Sequence, residues 1–154
     1  MTPSTDPHDL ASLATGIHQT LGISFLEANP EHVVAIMPVT PQLFQPFGLM
    51  HGGASVVLAE SAASLGTWLN CDPARERAVG IEINANHLRA QRDGQLTAEA
   101  VPLHRGRTTM VWDIRIRDEQ KRLVCVARCT VARIAARDGT QSPSATPDTR
   151  STVR

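Results

Sequence analysis

A chain of 154 residues, 42% hydrophobic and 19% charged, suits one domain with a single buried core and is too apolar to stay disordered throughout. Its formal net charge of zero excludes whole-molecule attraction to nucleic acid or to an anionic membrane, and with 3% aromatic residues and no tyrosine it has few platforms for stacked bases. The three cysteines, Cys71, Cys125 and Cys129, show no metal-ligand spacing and fit no closed disulfide set, so they read as reduced structural thiols of a cytoplasmic protein.

Residues 1–8 are polar, carry two prolines, have no apolar signal-type run, and are expected to be disordered. Leu10, Leu13, Ala14, Ile17 and Leu21 recur at helical spacing, which predicts one short helix with Asp9 as its N-cap and Gly22 as its end. ISFLEAN and HVVAIMPV then read as two strands around an NPE turn. The irregular stretch TPQLFQPFGLMHGG feeds a long helix, predicted from about Gly53 to Leu69 or Asn70, which is apolar nearly all round and therefore buried. Glu60, three serines and Thr67 within it argue against a lipid-facing span. Four more strands follow, in AVGIEINANHLRA, GQLTAEAVPLH, TTMVWDIRIRD and RLVCVARCTVARIAA, and their short links suit consecutive antiparallel hairpins. Residues 137–154 are poor in apolar side chains and are expected to form a disordered tail. The order predicts an α+β domain over residues 9–136, a long central helix covered by a curled antiparallel sheet, with a second subunit covering the rest.

Motifs for several chemistries are absent. Ser55 stands in no GxSxG elbow, and there is no phosphate-binding P-loop, GxGxxG fingerprint or HExxH pair. The histidines never pair with cysteine or carboxylate at ligand spacing, so neither metal nor cofactor is predicted.

Attention falls on Glu60, whose same-face neighbours on a helix are Val56, Val57, Ala63 and Ser64. A carboxylate without a partner in apolar surroundings loses hydration and becomes a stronger base. Folding alone does not favour that arrangement, which leaves a reactive group or a structural glutamate bonded to a backbone amide or paired with an arginine from a strand. Gly52 and Gly53 stand at the helix start, where free amides and the helix dipole stabilise an oxygen gaining negative charge. Glu60 lies roughly 10–12 Å further along at about 1.5 Å per residue. One reacting carbonyl reaches both groups only if a neighbouring chain lays its helix start beside Glu60. His51 and Gln45, on the loop before the helix, can donate to an acyl group or orient water, although a histidine there is as ordinarily a helix cap. Ser64, one turn beyond Glu60, can hold the carboxylate or the acyl group, or bond back to its own helix. A positive cluster comprises His87, Arg89 and Arg92 together with His104, Arg105, Gly106, Arg107, Thr108 and Thr109. It reads either as a phosphate nest or as a solvated hairpin edge guarded by charge.

The segments QPFGLMHGGASVVLAESAASLG, VGIEINANHLRA and PLHRGRTTMVWDIRI resemble hotdog-fold acyl-CoA thioesterases. The likeness is to the Glu-dependent branch that includes 1,4-dihydroxy-2-naphthoyl-CoA thioesterase, one class of 4-hydroxybenzoyl-CoA thioesterase and the phenylacetate-degradation thioesterases. It spans roughly residues 10–135. It implies a long helix wrapped by a curved antiparallel sheet, assembled as a homodimer or a homotetramer of paired dimers, with sites between subunits. It also implies an acyl-CoA substrate, with an aromatic acyl group, and no role for nucleic acid or membrane. Glu60 is then the catalytic carboxylate, as nucleophile or as base for water. The Gly52 amide polarises the thioester carbonyl with Gln45 and His51 assisting, and Ser64 contacts the acyl group. Gly80, His87, Leu88, Arg89, Ala90 and the run from His104 to Thr109 line the CoA site. Ala90 and Thr109 depart from the polar or larger side chains common there in relatives. Two other functions share such a fold, an acyl-thioester hydratase or dehydratase and a non-catalytic acyl-CoA sensor. The first normally needs a histidine on the active helix, and positions 54–69 hold none.

Overall fold

The computed structural model describes residues 10–136; the two ends predicted to be disordered lie outside the described residues. In chain order the elements are α1 (Ile17–Leu21), β1 (Ser24–Asn29), β2 (His32–Pro38), β3 (Phe44–Gln45), β4 (Leu49–Met50), α2 (Gly52–Trp68), β5 (Glu76–His87), β6 (Gln95–Arg105), β7 (Thr109–Arg117) and β8 (Leu123–Ala135). The main sheet is six-stranded and antiparallel, in the order β1-β2-β6-β7-β8-β5. No helix among the described residues is long and apolar enough to cross a membrane.

The first predicted helix is broken in two. Leu10–Leu13 make a single 3₁₀ turn, and α1 begins only at Ile17. Between them Gly16 takes a left-handed φ of 57°, a conformation that ends a helix and that glycine adopts without steric cost. The His18 ring bridges the break, its Nδ1 donating to the Leu13 carbonyl at 2.9 Å. The strands follow their period-2 pattern. Val33, Ala35 and Met37 of β2 point inward with Leu96, Ala98 and Ala100 of β6, and with Met110, Trp112, Ile114 and Ile116 of β7. Register shifts between Phe25 and Glu27, Gly80 and Glu82, and Pro102 and His104 bend the strands, so the sheet curls over α2 instead of lying flat against it.

Small residues let the helix come close. Ala59, Ala62 and Ala63 are fully buried, and at Gly66 an added Cβ would run into the Trp112 indole. The indole Nε1 donates to Thr67 Oγ1 at 2.9 Å, and that hydroxyl donates to the Ala63 carbonyl at 3.0 Å. Every polar atom of this contact is therefore paired, as a buried polar group requires. Leu58, with no exposed surface, contributes about 1.5–3 kcal/mol by its burial. The sheet leaves one stripe of α2 uncovered, through Val57, Glu60, Ser61, Ser64 and Trp68. Opposite that stripe stand the 3₁₀ turn, α1 and β1, with a cavity between. β5 closes the sheet on one side, and its exposed Val79 and Ile81 flank an outer edge that pairs with no strand among the described residues.

Candidate active site

Glu60 is half-buried and lines a cavity of about 520 Å³. Phe25, Val57, Leu65 and Trp68 give the cavity apolar walls, and Ser64 stands one helical turn beyond the carboxylate. Among the described residues no hydrogen bond or ion pair reaches the Glu60 carboxylate, so the paired structural glutamate is not what the fold builds. Gly80 of β5 lies directly against Glu60 Oε1, close enough that a Cβ there would overlap it. The irregularity between Gly80 and Glu82 brings bare backbone to that point, a usual meaning of glycine inside a strand. The nearby Cys129 thiol is pushed up to about 12, by burial first and then by the negative charges of Glu60 and Glu82. It is a packing group, not a nucleophile.

A second cavity, of about 320 Å³, opens at the start of α2 and brings together Gln45, Gly52, His87, Leu88, Arg89 and Ala90. The predicted helix start moves by one residue, because His51 is the N-cap: its Nδ1 accepts from the Gly53 amide at 2.9 Å. Accepting there places the proton of the neutral ring on Nε2 and leaves that N–H as a donor. Capping and donation are thus compatible roles. The Gly52 amide makes no hydrogen bond among the described residues, as expected for a first-turn amide. The His87 ring stands over it, and a Cβ at position 52 would sit 2.6 Å from His87 Nε2. Ser55, 1% exposed, lines the same cavity, and its hydroxyl finds no partner among the described residues.

His104, Arg105, Gly106, Arg107, Thr108 and Thr109 form the β6–β7 turn, beside the start of β5 and the end of α2. Arg105 is engaged within the chain. Its guanidinium donates to Glu31 at 2.6 Å and to Asn70 at 2.9 Å, tying the β1–β2 turn to the end of α2. Arg89 and Arg107 are exposed and make no ion pair among the described residues.

One chain therefore does not gather the predicted residues into one place. Gly80 and His87 lie roughly 23 Å apart along β5 at about 3.3 Å per residue, and Gly52 and Glu60 about 12 Å apart along α2. Glu60, Ser64 and Gly80 stand at one position; Gln45, Gly52, His51 and His87 to Ala90 stand at another.

His18 is a cavity residue that the sequence reading passed over. It shares the Glu60 cavity, its Nε2 is 3.0 Å from Ser61 Oγ, and its ring meets Phe25 edge-on at 5.4 Å. A signal existed, since His18 falls four after Ala14 and three before Leu21 on the apolar face of the predicted helix. Arg77 also reaches this cavity while its Nη1 donates to the carbonyls of Pro73 and Glu76.

Residues 47–125 match the family described as the thioesterase superfamily. The 1,4-dihydroxy-2-naphthoyl-CoA hydrolase of Listeria monocytogenes is 45% identical over 117 residues, covering 76% of this chain and 94% of that protein. A crystal structure of a Pseudomonas aeruginosa thioesterase variant superposes with a TM-score of 0.80 at 46% identity, over 88% of this chain and 97% of that one. Two structures of a Staphylococcus aureus protein, one of them called a thioesterase enzyme, are 41% and 42% identical, with TM-scores of 0.77 and 0.75. They cover 79% and 77% of this chain and 100% and 98% of their own; one carries a glutamate and the other a glutamine replaced by alanine. With its central helix, its curled six-stranded sheet and these relatives, the chain belongs to the thioesterase superfamily and has the hotdog fold.

Proposed function

We propose that this thioesterase hydrolyses acyl-CoA thioesters, with Glu60 as the reacting carboxylate and the Gly52 amide of a second copy polarising the thioester carbonyl. The observation that carries the reading is the unpaired Glu60 carboxylate at an apolar cavity. Glu60 either attacks the carbonyl carbon or takes a proton from the attacking water. In both cases the C–S bond breaks and CoA leaves as a thiolate, which needs no strong general acid; direct attack leaves the acyl group as an anhydride on Glu60, which water then hydrolyses to the free acid. The free first-turn amide and the Nε2–H of His51 meet the oxygen as it gains charge, and Gln45 orients the acyl group or water. The glutamine and glutamate altered in the two Staphylococcus aureus structures are spaced along their sequence as Gln45 and Glu60 are along this one, which supports pairing these two at one site. Phe25 and Trp68 suit an aromatic acyl group held next to Ser64. The Listeria relative, named for an aromatic CoA ester, points the same way.

The distances within one chain are resolved by a homodimer. β5 offers a twelve-residue open edge, and an exposed edge of that length calls for a partner. Two copies paired antiparallel about a two-fold axis between Ile83 and Asn84 bring Gly80 of one opposite His87 of the other. The Glu60 cavity of each copy then meets the helix start of its partner. Arg89 and Arg107 are left to bind the CoA phosphates, with Arg105 occupied elsewhere. Dimers of this kind pair into a homotetramer in this reading, and the free thiols fit a cytoplasmic enzyme. A hydratase finds no support, since α2 carries no histidine.

The test is thiol release from a panel of acyl-CoAs by wild type and Glu60→Gln. The variant is expected to lose at least about 10³-fold in kcat, on the order of 4 kcal/mol, while staying folded. Near wild-type hydrolysis by Glu60→Gln removes the residue from the mechanism, and a wild type that binds acyl-CoA without releasing CoA is a sensor.

A further inference from the structure

We propose that Trp68 is the end wall of the acyl cavity and sets the longest acyl chain the enzyme accepts. The inference rests on the Glu60 cavity being the acyl site and adds what limits it. Beyond that cavity lies another, of about 430 Å³, with walls from Ala28, Pro30, Leu69, Cys71 and Pro73. Among the described residues Trp68 alone lines both.

The two spaces follow one another in the same direction along two elements. On β1 the first is walled by Phe25 and the second by Ala28 and Asn29; on α2 the first runs from Val57 to Trp68 and the second from Trp68 to Leu69. Glu60, Ser64 and Trp68 fall at i, i+4 and i+8, on one face of the helix, so Trp68 lies about 12 Å from the carboxylate along the axis. An acyl group whose carbonyl sits at Glu60, with its CoA leading away towards a helix start, extends its tail in the remaining direction. That direction runs down α2 onto the indole. The indole is half-buried and makes no hydrogen bond among the described residues, so packing alone holds it between the two spaces. The second space has mainly apolar walls, which suit methylenes. Moving one methylene from water into such a place tightens binding about four-fold.

Removing the indole joins the two cavities. Straight-chain saturated acyl-CoAs of increasing length are assayed with wild type, Trp68→Ala and Trp68→Leu by kcat/KM, and non-hydrolysable S-alkyl-CoA thioethers of the same chain lengths by Kd. Wild type is expected to decline beyond a limiting length. Trp68→Ala moves that limit outward by several carbons, with at least a ten-fold gain for long over short chains in both readouts. Adding Ala28→Phe, which refills the second space, takes the gain away. A folded Trp68→Ala or Trp68→Leu enzyme with the wild-type length profile in kcat/KM and Kd overturns the proposal. Because Kd is read without turnover, it judges Trp68 even if Glu60→Gln remains active or wild type releases no CoA; those outcomes count against the catalytic reading alone.

Discussion

Gly80→Ala separates the placement of the Glu60 carboxylate from the stability of the fold. Gly80 does not have a left-handed backbone, so alanine fits its conformation, and the change by itself favours folding by about 0.4–1 kcal/mol through the unfolded chain. The new methyl group meets Glu60 Oε1 first, and the other Glu60 atoms near it stand further off, Cδ at 3.5 Å and Cγ at 4.0 Å. The far end of a flexible side chain yields before a strand does, so the carboxylate swings aside by on the order of 1 Å. A displacement of that size at a reacting group costs about 10²-fold in rate, which is about 2.7 kcal/mol of transition-state stabilisation. Thiol release measured alongside a thermal melt should show kcat down about 100-fold at a Tm within a few degrees of wild type. A Gly80→Ala enzyme with wild-type Tm and kcat within three-fold of wild type would refute the idea that Glu60 reacts from its position against β5.

The capping of His51 is separable from its proposed donor role: His51→Ala should cost about 1 kcal/mol of stability by removing the cap, whereas His51→Asn keeps a good capping oxygen. Since the shorter asparagine side chain brings no N–H to where the imidazole Nε2–H stood, His51→Asn should unfold like wild type in urea yet lose activity. Gly66→Ala should destabilise by a net of up to about 2 kcal/mol, because overpacking against Trp112, at about 1–3 kcal/mol, outweighs the roughly 1 kcal/mol helix advantage of alanine; an unchanged urea midpoint would show that the indole can move. His32 is held between Glu27 and Glu99 at 3.0 Å each, and these hydrogen bonds, Glu27 first, raise it above its ordinary 6.5. Its contribution is therefore complete below pH 6.5 and fades as pH climbs through the raised folded value. Because the site is partly exposed, denaturation curves from pH 5.5 to 8.5 should differ between wild type and His32→Gln by no more than about 1 kcal/mol, at the acid end.

The long helix and the strands were legible because their signals are local. Apolar residues on all sides of 53–69 mark a buried helix, and period-2 runs between short polar links mark hairpins. Glu60 was legible as an anomaly, a carboxylate where core packing has no use for one. The break at Gly16 was not, since glycine inside a helical period reports weak propensity but not whether tertiary contacts will use its left-handed freedom. Arg105 and His18 show the same limit at longer range. The guanidinium reads equally well as a phosphate donor until Glu31 and Asn70 arrive beside it, and the imidazole on its apolar helix face has no nameable partner until Ser61 does. Those partners are distant in sequence, and only the closed sheet brings them near. Gly80 lay between these cases, because glycine in a strand announces a close approach without naming what approaches.

The position of β8 has a consequence for how the chain is made. Among the described residues it is the last strand, yet it lies between β7 and β5 and supplies a partner for each. While it is still being synthesised, β5 has no sheet neighbour among the described residues and α2, already complete, lacks part of its cover. A ribosome-bound chain therefore leaves α2 partly bare until β8 emerges, and the sheet closes in one late step instead of by gradual accretion.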